Sequence, residues 1–251
     1  MDAKTRENFI TLWKRYFDGS ELPITFYYTN EEGHAELAKA VSTPRCVIAA
    51  LSTVRQGNSL CFDAESIACF GGRRFLGFSS NMTANFEYFL SCGIPGKLEG
   101  ERYKKTPEIA AEWSRNLPQF EAPAKFVVFK RWDALNESDN PDVVIFFANF
   151  DVLAGLFTLA NFDETDPNAV FSPFGSGCSS VVTYPFLEKD AARSRAVIGL
   201  FDPSARPFVP EAALSFALPM NKFKRMVENM EESFLITNSW KQIQKRMQRQ
   251  K

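Results

Sequence analysis

Short runs of β-branched and aromatic residues alternate with helical patterns along the whole sequence, and no other feature constrains the fold more strongly. Such runs predict strands, whereas apolar residues at i, i+3, i+4 and i+7 predict helices that pack on a sheet. The predicted strands are residues 24–28, 60–63, 126–129, 143–147, 169–171, 197–201 and 214–218. The predicted helices are residues 5–17, 46–54, 85–90, 152–159 and 223–230, and the segments that begin at residues 106 and 240. The pattern predicts an α+β protein with a mixed β-sheet flanked by helices.

The order strand, buried helix, strand and glycine-cysteine loop occurs twice. Leu60 lies nine residues before Cys69, and Ala169 lies nine residues before Cys178. This repeat predicts one α+β domain over residues 1–251 with two related, pseudo-symmetric halves, at about residues 20–100 and 125–220, followed by C-terminal helices. It also puts the two thiols at equivalent positions. The halves share little residue-by-residue similarity, so a chance coincidence of spacing is the alternative explanation.

Charge and hydropathy bear on the partners and location of the protein. A formal net charge of −1 leaves no dense cationic face for non-specific nucleic-acid binding. No stretch approaches the roughly 18 uncharged apolar residues that a membrane span needs. The first residues lack the apolar core of a secretory signal, so we expect a cytoplasmic protein. The 25 phenylalanines favour a thick core or an apolar ligand cavity, and residues 152–159, apolar on every side, predict a buried helix.

Five cysteines without a CxxC motif argue against a disulfide framework and against a standard zinc module. We therefore expect reduced thiols. The single histidine, His34, excludes His-rich metal sites, and its polar, turn-like surroundings predict a surface loop residue. Cys46, Cys61 and Cys92 fall on predicted helices or strands, where a free cysteine usually serves as a small buried apolar residue.

Two glycine-flanked cysteines form the candidate site. Cys69 lies in residues 68–74 (ACFGGRR), and Cys178 lies in residues 175–180 (GSGCSS) before an apolar run. A turn that feeds a helix N-terminus exposes free N–H groups and partial positive charge, which lower a thiol pKa and attract anions. Arg73 and Arg74 add positive potential. The predicted ligand-binding residues are Cys69, Gly71, Gly72, Arg73, Gly175, Ser176, Gly177, Cys178 and Ser179.

The chemistry of this site stays open at the level of sequence. Cys69 and Cys178 as a thiolate pair are candidate metal ligands for a soft metal, an iron–sulfur cluster or a haem iron. The same residues suit a small anionic metabolite without any metal. The glycines also suit tight backbone packing without a ligand. No residue is identified as catalytic, and the Gly71-Gly72 pair lacks the spacing of a phosphate loop or dinucleotide fingerprint.

Several short motifs together resemble one protein family. The motifs are residues 69–72 (CFGG) with 76–78 (LGF), residues 175–178 (GSGC), residues 214–219 (LSFALP), and residues 233–235 (SFL) with Trp240. They resemble the prokaryotic proteins of the domain of unknown function 169 family, from the first helix to Trp240. The resemblance implies a bacterial or archaeal intracellular protein without an established activity, and it supplies no catalytic residue.

Three functional hypotheses follow from these observations. The leading one is a protein that binds a small molecule or cofactor in a phenylalanine-lined pocket between the two halves, with the Cys69 and Cys178 loops at its wall. The second is a thiol-dependent or metal-dependent redox or transfer enzyme that uses the same cysteines. The third is an oligomeric scaffold in which the cysteines only pack. We expect no nucleic-acid or membrane partner, and the sequence is compatible with a homo-oligomer.

Overall fold

The computed structural model describes residues 1–37 and 46–249. Within them, eight strands form one mixed sheet in the order β2-β3-β4-β1-β5-β8-β7-β6. The strands are β1 (Ile24–Thr29), β2 (Glu36–Leu37), β3 (Leu60–Phe62), β4 (Phe126–Arg131), β5 (Val143–Ala148), β6 (Val170–Phe171), β7 (Ala196–Gly199) and β8 (Leu214–Pro219). β2 with β3 and β6 with β7 pair in parallel, and the other neighbouring pairs in the described sheet are antiparallel.

Helices flank this sheet, as the sequence pattern predicts. They are α1 (Ala3–Tyr16), α2 (Val47–Arg55), α3 (Phe70–Phe75), α4 (Phe86–Phe89), α5 (Pro107–Arg115), α6 (Phe150–Ala160), α7 (Tyr184–Leu187), α8 (Met220–Asn229) and α9 (Asn238–Arg249). A π-helix, Ser179–Thr183, runs directly into α7. The prediction of an α+β protein with a mixed sheet and flanking helices is confirmed. In the described ranges, no helix has both the length and the apolar character needed to cross a membrane.

The sheet separates two hydrophobic cores. Along β5, Val144 and Phe146 pack into the core beneath α1, α6, α8 and α9, whereas Val143 and Ile145 pack into the opposite core. Alternate residues of a strand point to opposite faces, so one uninterrupted apolar run serves both cores. The second core lies beneath α2, the π-helix and α7, and it includes Cys178. This second face carries the candidate site.

Helix α6 differs from its prediction. Asn149 caps it, since its side chain accepts a hydrogen bond from the Val152 N–H at 3.0 Å. The expectation that residues 152–159 are buried on every side is wrong, because Ala154 and Thr158 are exposed and Phe157 is 43% exposed. A helix on the outside of a sheet buries only the stripe that faces the sheet, whatever residues occupy its other side.

Two buried ion pairs fix polar groups within the fold. The Lys130 ammonium lies 2.9 Å from both carboxylate oxygens of Asp139, whose side chain is fully buried. The Lys222 ammonium lies 3.1 Å from Glu164, which also accepts from Arg193 at 2.8 Å. Burial alone would raise the pKa of Glu164, but these basic partners outweigh it and lower the pKa to about 2.

The pairing order of the first four strands recurs in the last four. β2, β3, β4 and β1 are neighbours in that order, as are β6, β7, β8 and β5, and β1 pairs with β5 at the centre. Pseudo-symmetry of the halves remains a prediction, because it rests on pairing order alone. α2 lies between β2 and β3 along the chain, and the π-helix and α7 lie between β6 and β7. The equivalence of Cys69 and Cys178 that the spacing in sequence predicts likewise stays a prediction.

Candidate functional site

A cavity of about 510 Å³ lies on the sheet face that carries α2, and Cys46, Cys69 and Cys178 all contribute to its wall. We call it the thiol cavity. Most of its wall is apolar, with a large aromatic share: Phe70, Phe75, Phe86, Phe89, Tyr103, Trp113 and Phe174. Its few polar groups include Ser176, Asp202 and Ser204. Such a wall suits a guest with an apolar body and few polar atoms.

The three cysteines of the thiol cavity each stand at the start of a helical segment. Cys46 is the N-cap of α2, and Cys69 is the N-cap of α3. The Cys69 sulfur accepts a hydrogen bond from the Gly72 N–H at 3.4 Å. Cys178 immediately precedes the π-helix. The N–H groups in the first turn of a helix carry partial positive charge. Each of the three cysteines therefore stands at the positive end of a helical segment.

Two glycines allow these helix starts to approach one another. A Cβ atom on Gly72 would lie 2.8 Å from Cγ2 of Val47, the first residue of α2. A Cβ atom on Gly177 would lie 3.0 Å from Cγ1 of Ile48 and 3.0 Å from Leu200 Cδ2. Any side chain at either position would have to displace packed apolar atoms. The glycines that marked the two loops in the sequence therefore serve close approach to α2.

Cys46 and Cys178 both line the thiol cavity, and the hydrogen bond that their side chains can share shifts the pKa of each thiol. This bond is the main cause that lowers the pKa of Cys46 to about 6, and the N–H groups of Ala49 and Ile48 act in the same direction against burial. The same bond, together with complete burial, holds the pKa of Cys178 well above its usual range. At neutral pH the pair thus consists of a Cys46 thiolate that accepts a hydrogen bond from the Cys178 thiol.

The carboxylate of Asp202 forms the polar end of the thiol cavity. Its Oδ2 accepts a hydrogen bond from the Gly177 N–H at 3.2 Å, and its Oδ1 accepts from the Ser204 hydroxyl at 2.8 Å. The Tyr103 hydroxyl accepts from the Ser204 N–H at 3.1 Å, and burial raises the pKa of Tyr103 to about 12. This end therefore offers a guest the side-chain oxygens of Asp202 and a phenol that keeps its proton.

The π-helix shapes the wall that carries Cys178. Its wider turn closes with a hydrogen bond from the Tyr184 N–H to the Ser179 carbonyl, and single π turns occur often at functional sites. The Ser180 hydroxyl donates to the Gly177 carbonyl at 2.8 Å. The Thr183 hydroxyl donates to the Phe75 carbonyl at 2.8 Å, which ties this segment to the end of α3.

The structure brings together most of the residues predicted to bind a ligand. Arg73 and Ser179 do not line the cavity: the Arg73 guanidinium binds the Ile67 carbonyl at 2.9 Å, and the Ser179 hydroxyl donates to the Ser176 carbonyl at 2.7 Å. Both polar groups thus satisfy local backbone instead. The predicted residues that line the thiol cavity are Cys69, Gly71, Gly72, Gly175, Ser176, Gly177 and Cys178.

Sequence reasoning missed Cys46, Asp202 and the aromatic wall as parts of one site. Cys46 stands immediately before the apolar run of α2, which is the sequence signal of an N-cap position. Asp202 follows β7 and precedes a proline, which by itself indicates only a turn. His34, expected on the surface, is largely buried, contacts the Tyr27 hydroxyl at 3.0 Å and lines a different cavity.

The thiols of the cavity do not form a complete metal centre. Across residues 1–37 and 46–249, no group of three or more histidine, cysteine, aspartate or glutamate side chains is arranged to hold a metal ion. Cys61 and Cys92 line two other cavities, so they add no ligand here. A four-thiolate iron–sulfur cluster therefore does not fit the donors at this site.

Comparison with known proteins gives the family. A family model for the domain of unknown function 169, described as uncharacterised ArCR, matches residues 15–229. The chain belongs to this family. The match spans all eight described strands of this DUF169 protein and every residue of the thiol cavity. It confirms the resemblance seen in the sequence motifs. No curated protein and no solved structure matches the chain.

Proposed function

We propose that this DUF169 protein binds a small, mainly apolar molecule in the thiol cavity. The observation that carries the proposal is the composition of that wall, which combines seven aromatic side chains with three cysteines and one carboxylate. The volume of about 510 Å³ lies within the range of roughly 300–1,000 Å³ that is typical of ligand pockets. A packed core without a ligand role would leave far less open space.

Exposed aromatic rings at the cavity support an apolar guest. Phe70 is 65% exposed and Phe174 is 52% exposed, although both line the cavity. Phe174 packs on Trp113 with ring centroids 5.5 Å apart, and the Lys104 ammonium lies 4.3 Å from the Phe174 centroid. Large apolar side chains grouped at an opening mark binding sites on many proteins, because a guest removes their surface from water.

The polar groups narrow the chemistry of the guest. Asp202 and Tyr103 lie at one end, so a guest with a hydrogen-bond donor at that end would be oriented by the carboxylate. An organic guest is favoured over a metal ion, since the thiols and Asp202 do not form a metal-binding group. The exposed aromatic rings likewise serve an organic molecule and not an ion.

Trp113 provides a reporter for this proposal. It lines the thiol cavity, whereas Trp13, Trp132 and Trp240 are buried in the core on the other face of the sheet. Titration with anilinonaphthalene sulfonate should quench Trp113 emission and raise probe emission, with saturation at one probe per chain. A Trp113→Phe variant should lose the quenching and keep the probe binding. Native mass spectrometry of freshly purified protein should detect a retained organic molecule.

A pair of cavity-directed substitutions sharpens the test. Ala84 is exposed and lines the thiol cavity, so Ala84→Trp should block it and lower probe affinity by at least about tenfold. Ala154 is exposed on α6, whose buried side faces the other core, and Ala154→Trp should leave the affinity unchanged. Equal affinities for the two variants would show that the probe binds elsewhere, and the proposal would then fail.

A further inference from the structure

The fold brings Cys46 and Cys178, which lie in two different connections between parallel strands, to the wall of one cavity. α2 starts after Cys46 between the parallel strands β2 and β3, and the π-helix starts after Cys178 between the parallel strands β6 and β7. Both cysteines border the thiol cavity, and the neighbour of Cys178, Gly177, packs so close to α2 that a Cβ on it would lie 3.0 Å from Ile48 Cγ1. Packing of an apolar core would not by itself need cysteines at both of these helix starts.

We infer that Cys46 and Cys178 form a dithiol that reduces an apolar disulfide bound in the thiol cavity. This inference rests on the proposed function, because the same cavity has to admit the substrate. The aromatic wall defines the substrate class as a small disulfide with apolar or aromatic substituents. Cys46 is the attacking residue, and Cys178 is the residue that resolves the mixed disulfide.

The environments of the two sulfurs suit these different roles. Cys46 is half-buried, stands at the positive end of the nine-residue helix α2, and has its pKa lowered to about 6. It is therefore the thiolate of the pair near neutral pH. Cys178 is only 5% exposed and keeps its proton, so it becomes reactive after Cys46 has been consumed. Because both cysteines border one cavity and Gly177 packs against Ile48, the second step needs only a local movement of the two side chains.

The exchange proceeds in two displacements. The Cys46 thiolate attacks one sulfur of R–S–S–R, the S–S bond breaks, and a thiolate R–S⁻ leaves while a Cys46–S–S–R bond forms. Cys178 then gives up its proton and attacks the Cys46 sulfur, which forms the Cys46–Cys178 disulfide and releases the second R–S⁻ to take that proton. The two protein sulfurs are oxidised, and one disulfide is reduced to two R–S products.

The experiment uses reduced full-length protein and dithiodipyridine, an aromatic disulfide whose released pyridinethione absorbs light. The exposed Cys92 is replaced by serine throughout so that it does not contribute. In this background the fast phase should release two pyridinethiones per chain. The intact mass should fall by two hydrogen atoms, and peptide mapping should find Cys46 joined to Cys178. This peptide mapping is done on protein in which Cys46 and Cys178 are both unchanged.

Single substitutions assign the order of the two steps. Cys178→Ser should release one pyridinethione in the fast phase and trap the probe on Cys46. Cys46→Ser should slow the fast phase by at least about tenfold, since Cys178, the other thiol of the pair, keeps its proton. Cys61→Ser serves as the matched control, because Cys61 is about as buried as Cys178 but lines a different cavity. This variant should behave like the parent.

Two results would overturn the inference. One is a mapped disulfide that joins Cys69 to either partner in place of the Cys46–Cys178 bond. The other is release of two pyridinethiones by Cys178→Ser as fast as by the parent. If either occurs while anilinonaphthalene sulfonate still quenches Trp113, the binding proposal stands and only the exchange chemistry is wrong.

Discussion

The contact between α3 and α2 gives a sharp test of how the thiol cavity is built. Gly71 and Gly72 are neighbours in α3, but only Gly72 faces α2. An added Cβ on Gly72 would lie 2.8 Å from Cγ2 of Val47 and 3.2 Å from Cγ2 of Ile67. Carbon atoms prefer separations of about 3.5–4.0 Å, so Gly72→Ala would have to push the start of α2 away.

The two substitutions should therefore change the free energy of unfolding in opposite directions. Alanine in a helix is favoured over glycine by about 0.5–1 kcal/mol, and Gly71→Ala should show this gain because its Cβ finds only ordinary contacts, at 3.9 Å or more. At Gly72 the overpacking cost of about 1–3 kcal/mol exceeds that gain, which leaves a net loss of about 1–2 kcal/mol. In a chain of this size that corresponds to a fall in Tm of roughly 2–8 °C.

Urea unfolding followed by circular dichroism measures both variants under the same conditions. The slope of the transition should be unchanged, so the midpoints report stability directly. Gly72→Ala should also slow alkylation of Cys46. Cys46 is the N-cap of α2, so a displaced helix start would disturb the N–H groups that lower the pKa of this thiol. Equal midpoints for Gly71→Ala and Gly72→Ala would refute the claim that a glycine is needed for close approach to α2.

Further predictions concern protons and buried charge. Alkylation of Cys46 by iodoacetamide should reach half its maximal rate near pH 6, and Cys178→Ala should move that midpoint upward because the hydrogen-bond donor is lost. Asp139→Asn should lower the free energy of unfolding by about 3–5 kcal/mol in a urea titration, since Lys130 would keep a buried charge without its partner. The folded-state pKa of Glu164, about 2, lies below its ordinary 4.5, so this group stabilises the protein above pH 4.5 and loses that effect as the pH falls towards 2. Glu164→Gln should therefore flatten the pH dependence of Tm in this window.

Each of these measurements has an internal reference. Alkylation of the exposed Cys92 in the same sample shows that the reagent is active at each pH. Glu32→Gln removes an exposed partner of Lys125 and should change stability little, in contrast with Asp139→Asn. A Cys46 midpoint that ignores the loss of Cys178, or equal destabilisation by Glu32→Gln and Asp139→Asn, would contradict the corresponding prediction. An unchanged pH dependence of Tm below pH 4.5 in Glu164→Gln would likewise contradict the prediction for Glu164.

Local sequence patterns predicted the elements whose residues interact over short distances. The helical spacing over residues 5–17 corresponds to α1 (Ala3–Tyr16), and the apolar run of residues 143–147 corresponds to β5 (Val143–Ala148). Residues 197–201 were a less accurate prediction, because β7 ends at Gly199, before Leu200 with φ of +66°. A positive φ breaks strand geometry, and a buried leucine gives no warning of it in the sequence.

The candidate site was only partly predictable, because its assembly depends on non-local strand order. The glycine-rich surroundings of Cys69 and Cys178 indicated the two loops. The sequence around Cys46 indicates at most the start of a helix, because its place in the thiol cavity depends on the contact of α2 with a helix more than a hundred residues away. The two-residue strand β2 was missed for the same reason: only its pairing with β3 defines it.

The central position of β1 in the sheet has a consequence for synthesis on the ribosome. Ile24 pairs with Arg131 of β4 and with Ile145 of β5, so the earliest strand stays unpaired on both edges until a long stretch of later chain has emerged. Loop closure over such separations is slow, and a nascent strand with free edges attracts foreign partners. We therefore expect folding to begin only after translation has passed β4, and fragments truncated before residue 126 to aggregate.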